Sequence, residues 1–162
     1  MECKADLTLL SILGVPTERI EHAGNKSGVV RKLIRGVRHT NYENSVGMVD
    51  EDPRSLQLPD LKKFQATEID EAHKIRLLQY RWLNNHLLIL CPRLEEWIVE
   101  ASREAGTSPS LYDLPDNPVA LHELINLNVR NFERLLGDIT EASDRIRNLR
   151  DRLKTFGLLE SY

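Results

Sequence analysis

The sequence predicts an α/β domain built on a parallel sheet flanked by helices, and three observations carry that expectation. Val29, Val30, Leu33, Ile34 and Val37 fall on one face of a helix-period stretch, just before the apolar run Ser45-Val46-Gly47-Met48-Val49. A second continuously apolar run, His86-Leu87-Leu88-Ile89-Leu90, is followed at once by another helical stretch. Strands that alternate with helices in this way are the pattern of a parallel sheet. With 162 residues, 41% hydrophobic and 29% charged, the chain is long enough for one domain with a real core and is not disordered in composition.

The elements follow in order. Residues 5–13 are mostly apolar and read as a first helix stopped at Gly14, with Pro16 just beyond. Arg19 to Gly24 reads as a short strand, and Asn25-Lys26-Ser27 opens the helix that runs to about Arg38. The strand 45–49 comes next. Residues 51–67, with Pro53 and Pro59, read as a loop, and 73–80 as a polar strand or turn. The buried strand 86–90 is bounded by Cys91-Pro92, and a helix from Arg93 to Ala105 ends at Gly106. Pro109, Pro115 and Pro118 make 107–118 a loop. Helical spacing then returns over Val119–Leu136 and Thr140–Leu153, with Gly137-Asp138 between. The expected organisation is one domain, 1–162, with an α/β core over 1–106 and a helical C-terminal extension, 107–162, packed on that core.

A formal net charge of -3 rules out a generally basic, DNA-coating surface, although Lys26, Arg31, Lys32, Arg35 and Arg38 concentrate in one stretch. Cys3 and Cys91 are far apart, and with no secretory leader in view they are expected to be reduced thiols in a cytoplasm. No apolar run approaches the ~20 residues that a membrane span requires.

Chemistry concentrates in Asp50-Glu51-Asp52, where the first apolar run stops. Two carboxylates spaced i, i+2 on extended backbone leave the same side and repel each other. A divalent cation relieves that repulsion, and oxygen-only donors select a hard ion such as Mg²⁺, Mn²⁺ or Ca²⁺. The plain alternative is a strand end followed by a turn, since Asp52-Pro53-Arg54-Ser55 is good turn sequence. In parallel sheets ligands bind beyond the carboxyl ends of the strands. Two further places deliver acid to that edge: Glu2 with Asp6, and Glu95-Glu96 in the first turn of the helix after strand 86–90, where an acidic residue also complements the helix dipole.

The arrangement of these acids resembles the TOPRIM domain, the metal-binding fold of topoisomerases, primases and OLD-type nucleases. Met1-Glu2-Cys3-Lys4-Ala5-Asp6-Leu7 is similar to its Glu-Gly-x-x-Asp opening, and Gly47-Met48-Val49-Asp50-Glu51-Asp52-Pro53 to its strand ending in Asp-x-Asp. Leu94-Glu95-Glu96-Trp97 resembles the Ile-Glu-x-Trp signature of small TOPRIM-like proteins of unknown function. The resemblance spans roughly residues 2–100. Cys3 stands where the family carries glycine, and only Met1 precedes Glu2, so the strand that usually carries the glutamate is missing. A sheet lacking it would expose an edge to a partner protein or a second copy.

The resemblance implies Mg²⁺ (or Mn²⁺) held by Asp50 and Asp52, with Glu2 as a further ligand or general base and Glu95 completing a second metal position. It implies phosphodiester hydrolysis on DNA or RNA, with Glu2, Asp50 and Asp52 catalytic. The alternative is a TOPRIM-like binding or scaffold module that has lost catalysis and works with a partner protein. Arg54 and Lys26 are the candidates for touching substrate, and the plain reading of Lys26 is a capped helix start. Gly24-Asn25-Lys26-Ser27-Gly28 lacks the spacing of a triphosphate loop. Outside the family, Asp50-x-Asp52 could open a phosphatase or form the diphosphate–metal motif of a glycosyltransferase; the phosphatase is disfavoured by Arg54, which replaces the expected hydroxyl or branched residue. A topoisomerase is disfavoured because Tyr42, Tyr80, Tyr112 and Tyr162 lack context for a nucleophile. The five histidines share no zinc spacing. Trp82 and Trp97 read as packing aromatics, and the Arg-rich segment 141–154 as a solvated face of paired charges.

Overall fold

The structure, a computed structural model, describes residue 1, residues 3–35 and residues 43–159. Glu2, Val37, Arg38, Tyr42 and Tyr162 of the sequence reading lie outside the described residues. The chain divides into two compact units, one formed by Met1 and His22–Arg93, the other by Cys3–Glu21 and the chain from Leu94 onward. No helix among the described residues is long and apolar enough to cross a membrane.

Among the described residues the first unit is a four-stranded sheet with one α-helix, α2 (Lys26–Arg35), which follows the first helix of the chain, α1 (Lys4–Ile12). The strands are β1 (Val46–Asp50), β2 (Gln65–Asp70), β3 (Ile75–Tyr80) and β4 (Asn85–Leu90), in the order β1-β4-β3-β2. β1 runs parallel to β4, with Val46 opposite His86 and Asp50 opposite Leu90. β3 is antiparallel to both β4 and β2, so the sheet is mixed, which corrects the expectation of a wholly parallel one. The reason lies in the connections. The four-residue turns 71–74 and 81–84 join consecutive strands, and a link that short closes only an antiparallel pair. Lys74 (φ 56°) and Asn84 (φ 51°) supply the left-handed residue of each turn.

β2 begins within the segment 51–67 read as a loop and runs three residues beyond it, and its exposed side chains explain why no apolar alternation betrayed it. As an edge strand it carries a bulge between Ala66 and Glu68, which discourages further pairing. The expected strand 19–24 does not form; Thr17–Arg19 is a 3₁₀ turn.

One face of the sheet is covered by α2, whose Val29, Val30 and Leu33 pack with Val49, Leu78, Leu87, Ile89 and Phe64. Gly47 sets the approach of that helix: a Cβ there would stand 2.6 Å from Val29 Cγ1 and 2.8 Å from Leu33 Cδ1. Asn25 caps α2, its side-chain oxygen accepting from Gly28 N at 2.8 Å. Buried Asn85 ties three elements together. Its Oδ1 accepts from Ser45 N at 2.9 Å, and its Nδ2 donates to the Leu33 carbonyl at 2.8 Å.

The second unit is helical: α1, α3 (Leu94–Glu104), α4 (Pro118–Ile125), α5 (Val129–Ile139) and α6 (Asp144–Thr155). α1 packs on α5, and α3 on α4, α5 and α6, around Trp97, Phe132, Leu135, Leu136, Ile146 and Leu149. The expected helix 119–136 is two helices, broken at Asn126–Asn128. Asn126 leaves the helical ladder and accepts from Ala5 N at 3.1 Å with its side chain. Gly137-Asp138, read as a break, lies inside α5, because the apolar series Phe132, Leu135, Leu136, Ile139 outweighs the ~1 kcal/mol cost of one helical glycine. Within the charged segment 141–154, Asp144 and Arg147 pair on the surface, as do Glu141 and Arg150. Arg145 departs from the expected solvated face: it is buried, its guanidinium lies 5.9 Å over the Trp97 ring and its Nε donates to Glu104 at 3.1 Å.

Candidate metal and phosphate site at the carboxyl edge of the sheet

β1 ends at Asp50, and the turn after it is closely held. Glu51 N donates to the Leu90 carbonyl at 2.8 Å and Asp52 N to the Pro92 carbonyl at 2.9 Å, which extends the β1–β4 pairing past the strand. Asp52 has φ 43°, a left-handed conformation that an Asp tolerates better than most residues. Ser55 N donates back to the Asp52 carbonyl at 3.0 Å, so Asp52-Pro53-Arg54-Ser55 is the turn its composition suggested. The same-side argument for Asp50 and Asp52 therefore needs correcting. It assumes extended backbone through Asp52, and the strand stops two residues earlier.

Lys26 sits in the first turn of α2 and reaches this edge, its Nζ donating to the Glu51 carbonyl at 2.6 Å. An ammonium has three donors, so two remain for another acceptor beside the Asp50–Asp52 turn. Lys26 is part of a capped helix start, as its plain reading has it, and its ammonium stands next to the acids. Arg54 is exposed and makes no ion pair among the described residues.

The carboxylate between the two aspartates is the one with a fixed partner. Glu51 Oε1 accepts from Arg76 Nη1 at 3.1 Å across a cleft of about 300 Å³, lined also by Asp70, Glu71, Lys74 and Cys91. Asp70 holds His73 twice, through the ring Nδ1 at 2.8 Å and the backbone N–H at 3.0 Å. Arg76 Nε in this cleft is buried without a hydrogen-bond partner. Burial and then the charge of Glu51 push the Cys91 thiol up to about 11, with Arg76 pulling the other way. Sequence reasoning missed both pairings: the polar composition of β2 concealed the turn that holds Asp70 and His73, and Arg76 reaches Glu51 from β3 across 25 positions.

The other acids are placed differently. Glu2 lies outside the described residues. Asp6 is buried and accepts from Cys3 N at 2.9 Å, capping α1, while burial followed by the Asp6 charge raises the Cys3 thiol to about 12. Glu95 is buried in the helical unit, its Oε1 2.8 Å from His122 Nδ1 and its Oε2 without a partner. Among the described residues, no three His, Cys, Asp or Glu side chains form a group able to hold a metal ion. The structure thus brings Asp50, Asp52, Lys26 and Arg54 to one end of the sheet, and gives Glu95 a partner of its own. No family model, curated protein or solved structure matches the chain.

Proposed function

We propose that the chain carries out metal-dependent phosphodiester hydrolysis on nucleic acid, with a TOPRIM-like arrangement of its sheet unit. One observation carries the reading. The Asp50–Asp52 turn lies beyond the carboxyl ends of the parallel pair β1–β4, the crevice where such sheets bind ligands, and the Lys26 ammonium is fixed beside it. Two hard oxygen donors of this kind suit Mg²⁺ or Mn²⁺, with Glu2 as the third, and a bound ion would supply polarisation of a phosphate and activation of a water. Lys26 would meet a non-bridging phosphate oxygen with its remaining donors, and Arg54 would touch the flanking strand. The backbone hydrogen bonds at Glu51 and Asp52 would keep the acids in place as the substrate arrives.

A second reading, a nucleic-acid-binding or scaffold module without catalysis, is favoured by a specific pair of contacts. Glu51 is paired with Arg76 and Glu95 with His122, which leaves a short list of acids for an ion. Calorimetric titration with Mn²⁺ separates the two. The cleavage reading expects binding that Asp50→Asn/Asp52→Asn abolishes, together with Mn²⁺-dependent cutting of nucleic acid that falls to background in the same variant. Metal binding and cutting that survive both substitutions would remove the site assignment, and wild type that neither binds nor cuts would leave the module.

A further inference from the structure

The opposite end of the sheet carries a different surface. Trp82, expected to be a packing aromatic, stands at the tip of the β3–β4 turn with 86% of its surface exposed. It faces a cleft of about 610 Å³ whose other walls are Lys62, Lys63, Phe64, Gln65 and Arg81. The 3₁₀ helix Pro59–Lys63 brings in the two lysines, and Phe64 anchors the floor, buried with its ring centroid 5.5 Å from that of Tyr80. Lys63 pairs with Asp60 at 2.8 Å on the surface, whereas Lys62, Arg81 and Trp82 have no hydrogen-bond or ion-pair partner among the described residues.

An indole left in water is costly to keep, and three cations around it specify what would cover it. We propose that Trp82, Lys62 and Arg81 form a contact for single-stranded nucleic acid, an unpaired base stacking on the indole while the adjoining phosphates meet the cations. Stacking on an aromatic platform inside a basic groove is the general chemistry of single-strand binding, and it requires a base whose face is free. A duplex buries those faces, and so offers only its phosphates. The cleft volume falls within the ~300–1,000 Å³ of ligand sites, and the cleft is wide open to solvent. Measured along β3, the two ends of the sheet are five residue steps apart, about 17 Å at ~3.4 Å per residue. As a substrate assignment the proposal rests on the nuclease reading, but as a binding surface it does not.

The test titrates the full chain with a 20-nucleotide oligo-dT and with a duplex of equal length, in EDTA, following tryptophan quenching and probe anisotropy. Trp97 is fully buried, so quenching reports Trp82. Trp82→Ala should weaken single-strand binding roughly tenfold or more. Lys62→Ala/Arg81→Ala should flatten the dependence of log K on log salt by about 1.4, at ~0.7 per phosphate contact. Wild type that ignores oligo-dT, Trp82→Ala that binds like wild type, or equal quenching by duplex, polyglutamate or anionic vesicles overturns the proposal. Metal-free binding without Mn²⁺-dependent cutting would remove the nuclease reading alone, and cutting without Trp82-dependent binding would remove this contact alone.

Discussion

The two ends of the one sheet are built on opposite plans. At the carboxyl end of β1, Glu51 is bonded to Arg76, Asp70 to His73, and the Glu51 carbonyl to Lys26. The charges there are largely answered from within the unit. At the other end Lys62, Arg81 and Trp82 are answered by nothing among the described residues. A side chain with an internal partner is held in one geometry, which suits positioning chemistry; a side chain without one is available to a partner from outside. The difference suggests a division of labour, with the acidic end placed for a reaction and the basic end placed for capture.

Substitutions can break or sharpen that contrast. The largest effect is expected from Asp50→Asn/Asp52→Asn, with metal heat and cutting both lost while urea unfolding shows the fold retained. Trp82→Ala comes next, costing about tenfold or more in single-strand affinity with no change in the unfolding midpoint. Gly47→Ala attacks neither end directly. It pushes a methyl into Val29 and Leu33, and should cost ~1–3 kcal/mol in denaturant unfolding through overpacking. If α2 shifts, Lys26 shifts with it, so Mn²⁺-dependent cutting should weaken while oligo-dT binding stays.

Smaller still is Arg76→Gln, which removes a half-exposed ion pair worth no more than ~1 kcal/mol. Its readable effect is on Cys91: with the Arg76 charge gone the thiol rises beyond about 11, and alkylation at a given pH slows. A faster reaction would show that Arg76 is not the opposing charge. The helical unit supplies a control that touches neither end of the sheet. Burial works to raise the Glu104 carboxyl, but hydrogen bonds from Ser143 and Arg145 outweigh it and hold it below its usual value. That contribution is complete above the unfolded value of 4.5 and is lost as pH falls through the lower folded one. Glu104→Gln should therefore flatten the acid limb of a stability-versus-pH curve and leave both ends of the sheet unaltered.

How much of this could be read beforehand follows from burial. β1 and β4 were legible because Met48, Val49 and Leu87 to Leu90 are buried, giving uninterrupted apolar runs. β2 was not, because it is exposed along most of its length and its polar residues carry no period, so the antiparallel hairpins on either side of β3 went unrecognised. At the site, Asp50, Asp52 and Lys26 were legible as residue types at a strand end and a helix start. The Glu51–Arg76 and Glu95–His122 pairs were not, being contacts between residues 25 and 27 positions apart that no local pattern encodes. Trp82 misled because a tryptophan near apolar residues usually packs, and only the hairpin geometry puts it at a tip.

The mixed topology also bears on the order in which the unit assembles. β2, β3 and β4 pair through turns of four residues, whereas Asp50 meets Leu90 across 40 positions. Loop-closure entropy favours the near partners first, so the β2–β4 meander is expected to form before β1 docks. Pulsed hydrogen exchange should then protect Leu77 and Leu88 ahead of Met48, and simultaneous protection would refute that sequence of events. A nascent chain at that stage has already gathered Lys62, Arg81 and Trp82, which come from one short stretch. It has yet to bring Lys26 and Asp50 together, so any capacity to cut would arrive only after the capacity to hold.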